Sequence, residues 1–451
     1  MNRGSVTLIN KNPVGVSITA SAARISTQEG TALEILARSG DHEKDLRLIS
    51  KVLSSGHKSV IEHQTLSVAF NNVSLMVEQF VIEFRLASYT VKSRRYVDFR
   101  DAGYIVPEGM GDELFACYQA RMEQLFSDYA QLTELGIPKE DARFLLPYSA
   151  RSNFYMTVNA RELIHMIATM VYGRGRHFSE LKILGLSLKS QFDELYPGVI
   201  DLERSHYLDD SLPYLPRNIR SGAPAEGGAQ LLGSPAEQRD LLRKALFFSE
   251  KDTEDLRLLL QDSRARELEL LQYTFLIHNI SLSCLTHFTR HRLLSPLIPS
   301  VLKALEGGDY VLPDSIRRHP EAEAIYRRAF HEQHVFAKEL LRLGLCPEEL
   351  VYCAMSGHVM DILLSLNARE MLHFAKLRTC TRAQWEIRKI AREMIVALSE
   401  VFPELFAYYG PSCAVTGKCP EGRMSCGKPV RIIDGKWMIL GEEGLEDEHF
   451  G

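Results

Sequence analysis

Several basic side chains of this chain are grouped in a way that indicates contact with an anion. Residues 290–292 read Arg-His-Arg and directly follow an apolar segment. Three consecutive basic groups beside apolar surface are poorly placed unless an anion binds them. The alternative interpretation is a charged cluster on the face of a helix, which needs no ligand.

Two further basic pairs have a spacing that suits a shared ligand. Arg161 and His165 are four residues apart, and so are Arg369 and His373. Residues at this interval lie on one face of a helix and can reach the same group. Each pair is therefore a candidate binding element.

The cysteines near the C-terminus could bind a metal. Five residues separate Cys413 from Cys419, and six separate Cys419 from Cys426. This is not the short Cys-x2-Cys spacing of common zinc sites. Cys380 precedes the helix that leads to this segment and is a candidate fourth ligand. Structural zinc on these four residues and free thiols in a loop both stay open.

The chain contains two copies of one sequence. Residues 159–165 read Asn-Ala-Arg-Glu-Leu-Ile-His and residues 367–373 read Asn-Ala-Arg-Glu-Met-Leu-His, an offset of 208 residues. Residues 83–88 and 290–295 align at an offset of 207. This period is too long for a solenoid repeat and has the size of a domain. Two tandem homologous domains are therefore predicted.

The domain boundaries follow from the repeat and from local composition. We predict a first domain over residues 1–220 and a second over 230–410. The small, flexible residues 221–229 predict a linker between them. Residues 411–451 are predicted to form a Cys- and Gly-rich tail.

Local patterns predict the main elements that would position these groups. Alternating apolar residues predict a strand at 65–70 and its repeat at 273–277. Apolar residues at helical spacing predict helices over 281–294 and 256–271. A helical hairpin is predicted over 112–135.

Bulk composition excludes several classes of protein. The 451 residues are 45% hydrophobic and 25% charged, with a net charge of −5 and no long basic run. This argues against a nucleic-acid scaffold. No apolar stretch has the length of a membrane span, and no secretory signal is evident. The eight cysteines do not suggest a disulfide framework. We therefore predict a cytoplasmic protein without nucleic-acid or membrane partners.

Several short motifs, taken in their order along the chain, resemble those of the flavin-dependent thymidylate synthases. Their motif reads Arg-His-Arg-x2-Ser-x4-Ser-x-Arg-Tyr. The second copy has its front half at 290–295, and the first copy has its back half at 88–96. Residues 57–63, His-Lys-Ser-Val-Ile-Glu-His, and residues 377–387 also resemble motifs of this family. The resemblance covers most of both copies.

The resemblance implies a fold, a reaction and an assembly. Each copy is expected to be an α+β domain with a β-sheet flanked by helices. The implied reaction is reductive methylation of dUMP at C5, with FAD as cofactor and methylenetetrahydrofolate and NADPH as co-substrates. The implied partners are this nucleotide substrate and a second chain, because a homodimer would rebuild a four-domain assembly.

The resemblance also implies that the first copy keeps only one share of the active site. Ser93 and Arg95 match the phosphate-binding loop, and Arg143, 16 residues before Asn159, matches a second phosphate ligand. A guanidinium with short neutral donors suits a phosphate dianion. The Arg-His-Arg triplet is replaced at residues 83–85, and Met170 stands where the catalytic arginine is expected.

The second copy retains the complementary share. Arg378 matches the catalytic arginine that contacts the substrate base, and His287 occupies the place of a glutamine near the pyrimidine. The phosphate loop has become Ser-Val-Leu at 300–302, and Val351 replaces the second phosphate arginine. The two copies together retain one complete set of arginines. This predicts one functional composite site and one non-functional site. Implied cofactor contacts are Arg290, His291, Arg292, His57, Ser59, Asn159, Arg161, His165, Asn367, Arg369 and His373.

Some departures from the family pattern favour other functions. Val91 replaces a residue that is usually polar, and Phe80 replaces the glutamine in the first copy. A flavin- or nucleotide-binding pseudoenzyme and a C5-methylase of another uridine nucleotide are the alternatives. In the predicted non-functional site, we expect Glu83 to pair with an arginine of the other copy.

Overall fold

The computed structural model describes residues 3–11, 14–207, 224–251, 255–433, 436–441 and 444–447. The chain divides into two compact units. Unit 1 comprises residues 1–222 and 313–356, and unit 2 comprises residues 223–312 and 357–451. Part of the predicted linker, residues 221–223, lies outside the described residues, whereas Gly228 and Ala229 begin a strand.

Both units contain helices and strands. The helices are α1 Val14–Arg24, α2 Ala32–Arg38, α3 His42–Ser54, α4 Leu75–Ile82, α5 Asp112–Glu134, α6 Lys139–Ala142, α7 Ala160–Val171, α8 Ser179–Asp193, α9 Gln238–Phe248, α10 Arg257–Gln261, α11 Leu282–Phe288, α12 Leu302–Gly307, α13 Asp314–Arg317, α14 Pro320–Arg342, α15 Ala368–Arg378, α16 Trp385–Val401, α17 Pro403–Phe406 and α18 Ser412–Thr416. The strands are β1 Ser5–Leu8, β2 Thr65–Ser74, β3 Ala87–Val91, β4 Arg151–Asn159, β5 Gly228–Gly233, β6 Gln272–Ser281, β7 Ser295–Leu297, β8 Val359–Asn367, β9 Val430–Ile433, β10 Lys436–Gly441 and β11 Gly444–Asp447.

Each unit contains an antiparallel four-stranded sheet of the same topology. The strand order is β1-β2-β4-β3 in unit 1 and β5-β6-β8-β7 in unit 2. Side chains along β4 alternate between buried and accessible positions, with Phe154, Met156 and Val158 in the core. This is the period of a strand that has one face against a hydrophobic core. The predicted α+β class is confirmed.

The duplication extends to irregular features of the backbone. Both long central strands contain a bulge, at 70–73 in β2 and at 277–280 in β6. Asn72 and Asn279, in these bulges, have φ angles of 52° and 49°. Asparagine tolerates this left-handed region better than most residues. The two copies therefore share local backbone geometry as well as sequence motifs.

A buried glutamate stabilises the start of the helix that follows each bulge. Ser74 N donates to Glu180 Oε1 at 2.9 Å, and Ser281 N donates to Glu386 Oε1 at 2.7 Å. The two serine hydroxyls also cap α4 and α11. Satisfying these groups matters because an unpaired buried polar group is destabilising.

Unit 1 includes a segment of the second copy that pairs with its counterpart from the first. Tyr148 N donates to Ala354 O at 2.7 Å, and Ser356 N donates to Leu146 O at 2.9 Å. The second bond repeats the first at an offset of 208 residues. Nearby, Arg121 of α5 donates to the backbone oxygen of Ala329 in α14 at 2.6 Å. Equivalent segments of the two copies thus meet with local two-fold symmetry, as in an isologous dimer contact.

Three predicted elements differ from the structure. The predicted hairpin over residues 112–135 is one helix, Asp112–Glu134, because no glycine or proline interrupts α5 before Gly136. The helix predicted over 256–271 is two short helical segments, α10 and the 3-10 turn Arg266–Leu270. The helix predicted to end at residue 294 ends at Phe288, so the Arg-His-Arg run lies in the turn after α11.

The C-terminal segment adds a small sheet to unit 2. Its strand order is β11-β10-β9. Trp437 is buried, and its Nε1 donates to Tyr409 O at 3.2 Å. In the part of the chain that the structure describes, no helix has the length and apolarity needed to cross a membrane.

Candidate functional site

The structure brings the three predicted phosphate ligands together in unit 1. The Arg95 guanidinium forms an ion pair with the carboxylate of Glu140, and Arg143 Nε donates to Glu140 O at 3.0 Å. Ser93 Oγ accepts from the backbone N of Arg95 at 3.3 Å. Arg143 is only 3% exposed, whereas Arg95 keeps 22% of its side chain exposed. The cluster combines two guanidinium groups and a hydroxyl, which is a donor set for a phosphate.

The loop that carries Ser93 and Arg95 is fixed by a buried ion pair. Arg94 Nη1 donates to Glu78 Oε1 and Oε2 at 2.9 and 2.8 Å, and Ser152 Oγ donates to the same carboxylate. Arg94 is 8% exposed and Glu78 is 1% exposed. Sequence reasoning missed this pair, although a glutamate inside the apolar helix α4 signals a buried partner.

In unit 2, Arg378 lies at the end of α15 and contacts His291. Arg378 Nε donates to His291 Nε2 at 3.0 Å, and its Nη2 reaches His287 O at 3.4 Å. The other ring nitrogen of His291, Nδ1, lies 2.9 Å from Glu370 Oε1. The side chains of His291 and Glu370 are 2% and 6% exposed. The sequence analysis did not identify Glu370 as a site residue, although it is part of the repeated Asn-Ala-Arg-Glu motif.

These contacts determine the protonation of His291. Burial lowers the pKa of His291 below its ordinary value of 6.5, while the hydrogen bond to Glu370 opposes this effect. The Arg378 guanidinium also lowers the pKa of His291, as does the neighbouring His373. His291 is therefore neutral at pH 7, as a ring nitrogen that accepts from arginine must be.

This lowered pKa predicts a pH-dependent contribution to stability. The unfolded chain binds the proton more tightly, so the contribution is complete above pH 6.5. It is lost as the pH falls from 6.5 toward the lower pKa of the folded state, by at most about 1.4 kcal/mol per pH unit. Urea unfolding between pH 5 and 7.5 should show a steeper loss for wild type than for His291→Phe. The control is His42→Phe at an exposed position. Parallel curves for wild type and His291→Phe would contradict the prediction.

Arg290 and Arg292, the neighbours of His291, are exposed. They follow the end of α11 in a turn, so they are accessible to a ligand from solvent. His291 itself is buried and uses both ring nitrogens inside unit 2. The three consecutive residues therefore have different environments.

The remaining predicted cofactor contacts lie at equivalent places in the two copies. Asn159 and Asn367 are N-caps, whose Oδ1 atoms accept from the helix backbone at 2.9 and 2.8 Å. Arg161 pairs with Glu62, and Arg369 pairs with Glu269. His165, His373, His57 and Ser59 are exposed. The repeat thus preserves a helix start with an ion-paired arginine beside it.

A cavity in unit 1 collects several of these residues. Its volume is about 380 Å³. Lys58 pairs with Glu203 at 2.6 Å, and His165 Nδ1 lies 2.9 Å from the Tyr207 hydroxyl. The cavity is lined by Leu53, Lys58, Ile61, Glu62, Leu86, Asn159, Arg161, Glu162, Ile164, His165, Val199, Leu202 and Glu203. Its size and mixed lining suit a nucleotide-sized ligand.

The first copy has an apolar arrangement where the second has His291 and Arg378. Phe84 and Met170, at the aligned positions, are 7% and 0% exposed. Glu83 pairs with Arg174 at 2.5 Å. The predicted partner from the other copy is therefore wrong, because the turn after α7 of the same copy already supplies a guanidinium.

The four C-terminal cysteines do not form a recognisable metal centre. Within the described ranges, no group of three or more His, Cys, Asp or Glu side chains is arranged to hold a metal ion. Burial raises the pKa of Cys380, with Glu421, Cys413 and Cys426 nearby. Cys419 and Cys426 are exposed. Zinc on these cysteines stays a prediction.

Sequence comparisons identify the family. The model of the family described as "Thymidylate synthase complementing protein" matches residues 7–197 and 228–404. The chain belongs to this family. The two separate matches also confirm the tandem duplication. The predicted resemblance to flavin-dependent thymidylate synthases is confirmed.

Individual members of the family align over most of their own length. The flavin-dependent thymidylate synthase of Clostridium tetani is 31% identical over 238 residues, which cover 49% of this chain and 93% of that protein. The enzyme of the same name from Geobacter sulfurreducens is 34% identical over 168 residues, covering 37% of this chain and 72% of that protein. One such enzyme thus corresponds to about half of this chain.

A solved structure from Streptomyces cacaoi is also similar. It is the UMP/dUMP methylase PolB bound with 5-Br dUMP, with 21% sequence identity and a TM-score of 0.37. The match covers 45% of this chain and 96% of that one.

Proposed function

We propose that this chain catalyses the flavin-dependent reductive methylation of dUMP to dTMP. The observation that carries the proposal is the complementary division of arginines in a member of this family. The first copy contributes Ser93, Arg95 and Arg143, and the second contributes Arg378. In this proposal the chain is a methyltransferase whose substrate-binding residues are divided between the two copies.

The phosphate of dUMP would bind to the cluster around Arg95 and Arg143. The Arg95 guanidinium pairs with the Glu140 carboxylate, and Arg143 contacts the backbone oxygen of the same residue, so a phosphate that replaces this carboxylate would lie near both guanidinium groups. The buried pair of Arg94 and Glu78 keeps the loop in place. Preorganised donors of this kind bind without the entropic cost of ordering a loop.

Arg378 would stabilise negative charge on the pyrimidine. Attack at C6 places charge on N3 and the ring carbonyl oxygens. A fixed guanidinium lowers this barrier by several kcal/mol when water is excluded, as other preorganised charges do. His291 accepts from Arg378 Nε and leaves the other guanidinium nitrogens available to further acceptors.

The residues present fit a flavin. Exposed Arg290 and Arg292 suit the diphosphate of FAD, and Asn159, Arg161 and His165 line a cavity of about 380 Å³. FAD, when bound, would supply the hydride. Methylenetetrahydrofolate would provide the carbon and NADPH the reducing equivalents. The proposal also includes a homodimer, a cytoplasmic location and structural zinc on the C-terminal cysteines.

The purified protein tests the proposal directly. We expect a yellow protein whose flavin absorbance is bleached by NADPH without oxygen. With dUMP and methylenetetrahydrofolate it should form dTMP, detected by mass spectrometry, and UMP serves as the comparison substrate. Methylation of UMP but not of dUMP would show that the substrate is UMP and would refute dUMP as the substrate. A colourless protein that does not bind added FAD or methylate either nucleotide would overturn the proposal in favour of a pseudoenzyme.

A further inference from the structure

Glu370, His291 and Arg378 form a continuous chain of contacts inside unit 2. Glu370 lies on the first turn of α15 and Arg378 on its last. His291 reaches both, with 2.9 Å to the carboxylate and 3.0 Å to the guanidinium. The ring also packs against Phe374, with 4.9 Å between ring centroids. The imidazole therefore has little freedom to rotate.

The direction of these hydrogen bonds follows from the chemistry of arginine. A guanidinium has donors and no acceptor, so His291 Nε2 must carry a lone pair toward Arg378. A neutral imidazole then holds its proton on Nδ1, which faces Glu370. Glu370 accepts this proton in a hydrogen bond and so selects the tautomer that can accept from Arg378. The opposite tautomer would direct two N–H groups at each other.

The first copy lacks both the histidine and the arginine of this arrangement. Phe84 and Met170 stand at the positions of His291 and Arg378, and both are buried. Glu162, which aligns with Glu370, is retained. The glutamate alone has no imidazole to orient there. The histidine and arginine are thus present together or absent together in the two copies.

We propose that Glu370 is a positioning residue that holds the Arg378 guanidinium in its reactive orientation by fixing the His291 tautomer. In this arrangement His291 acts on Arg378 rather than on the flavin ring. The inference rests on the proposed function, because it assumes that Arg378 acts on the substrate base. Glu370 need not touch substrate or cofactor.

Glu370→Gln tests this role with little change in shape. A glutamine can donate to Nδ1 as well as accept from it, so both tautomers become available and Arg378 loses its fixed acceptor. We expect kcat for dTMP formation to fall about 10-fold, with KM for dUMP changed less than about 2-fold, because remote misplacement affects the reacting geometry. Glu370→Asp should recover part of kcat. Glu400→Gln, at an exposed position of α16, is the matched control.

Histidine ring resonances report the tautomer without using activity. In protein labelled with ¹⁵N-histidine, the His291 signals are identified by their loss in His291→Phe. We expect a protonated Nδ1 and an unprotonated Nε2 in wild type, and a mixture in Glu370→Gln. Thermal unfolding verifies that the variants are folded.

The outcomes separate this inference from the proposed function. A wild-type chain that methylates no nucleotide would refute the proposed function, whatever the resonances show. An active wild type with unchanged kcat and tautomer in Glu370→Gln would refute the positioning role alone. A wild-type Nε2–H tautomer would also refute it.

Discussion

Replacing Arg378 with alanine should reduce kcat for dTMP formation about 10³-fold, which is the upper range for loss of one preorganised charge-stabilising group. The guanidinium is held at 3.0 Å from His291 and lies next to His287 O. Its orientation is therefore fixed before substrate binds. Removing it leaves the developing charge on the pyrimidine without a counter-ion.

Arg378→Lys separates charge from geometry. Lysine keeps the positive charge but lacks the planar fork that can donate to His291 and to a second acceptor together. We expect its kcat to lie between those of wild type and Arg378→Ala. Anaerobic reduction of the flavin by NADPH, followed by absorbance, should stay unchanged in both variants. Arg243→Ala, which removes an exposed arginine of the same unit, is the control. Wild-type kcat in Arg378→Ala would refute the proposed role.

The second large effect is expected on nucleotide affinity. Arg95→Ala and Arg143→Ala should each raise KM for dUMP about 10- to 100-fold, because each removes charge-assisted hydrogen bonds worth about 1.5–3 kcal/mol. Steady-state kinetics at varied dUMP concentration measures this change. The effect on kcat should be smaller, since the phosphate is remote from the reacting carbon.

Deoxyuridine provides a matched substrate control because it lacks the phosphate. Its slow turnover by wild type should differ little from that by Arg95→Ala. Arg100→Ala, on the same loop and 41% exposed, should behave as wild type. An equal loss with dUMP and deoxyuridine would show that Arg95 does not act through the phosphate.

Sequence reasoning found the shared features of the two copies but not the partners of their charged groups. The strand patterns at 65–70 and 273–277 fall within β2 and β6. The helix over 256–271 failed because its apolar residues are divided between two short segments. Local periodicity cannot identify such a break when tertiary packing determines it.

The contacts around the arginines depended on distant residues. Glu140 is 45 positions from Arg95, and Glu370 is 79 positions from His291. Neither glutamate stands out by spacing, because acidic residues are common on exposed helix faces. Arg174 likewise displaced the predicted partner of Glu83. An ion pair needs only spatial proximity, which the order of residues does not specify.

The sequence by itself determined the duplication, the family and the complementary distribution of arginines between the copies. These properties are read from residue identity at a fixed offset, so they need no coordinates. Only the tertiary structure decided that Arg95 and Arg143 both contact Glu140 and that His291 links Glu370 to Arg378. Hydrogen bonds act over about 3 Å, and chain folding alone brings such groups within that distance.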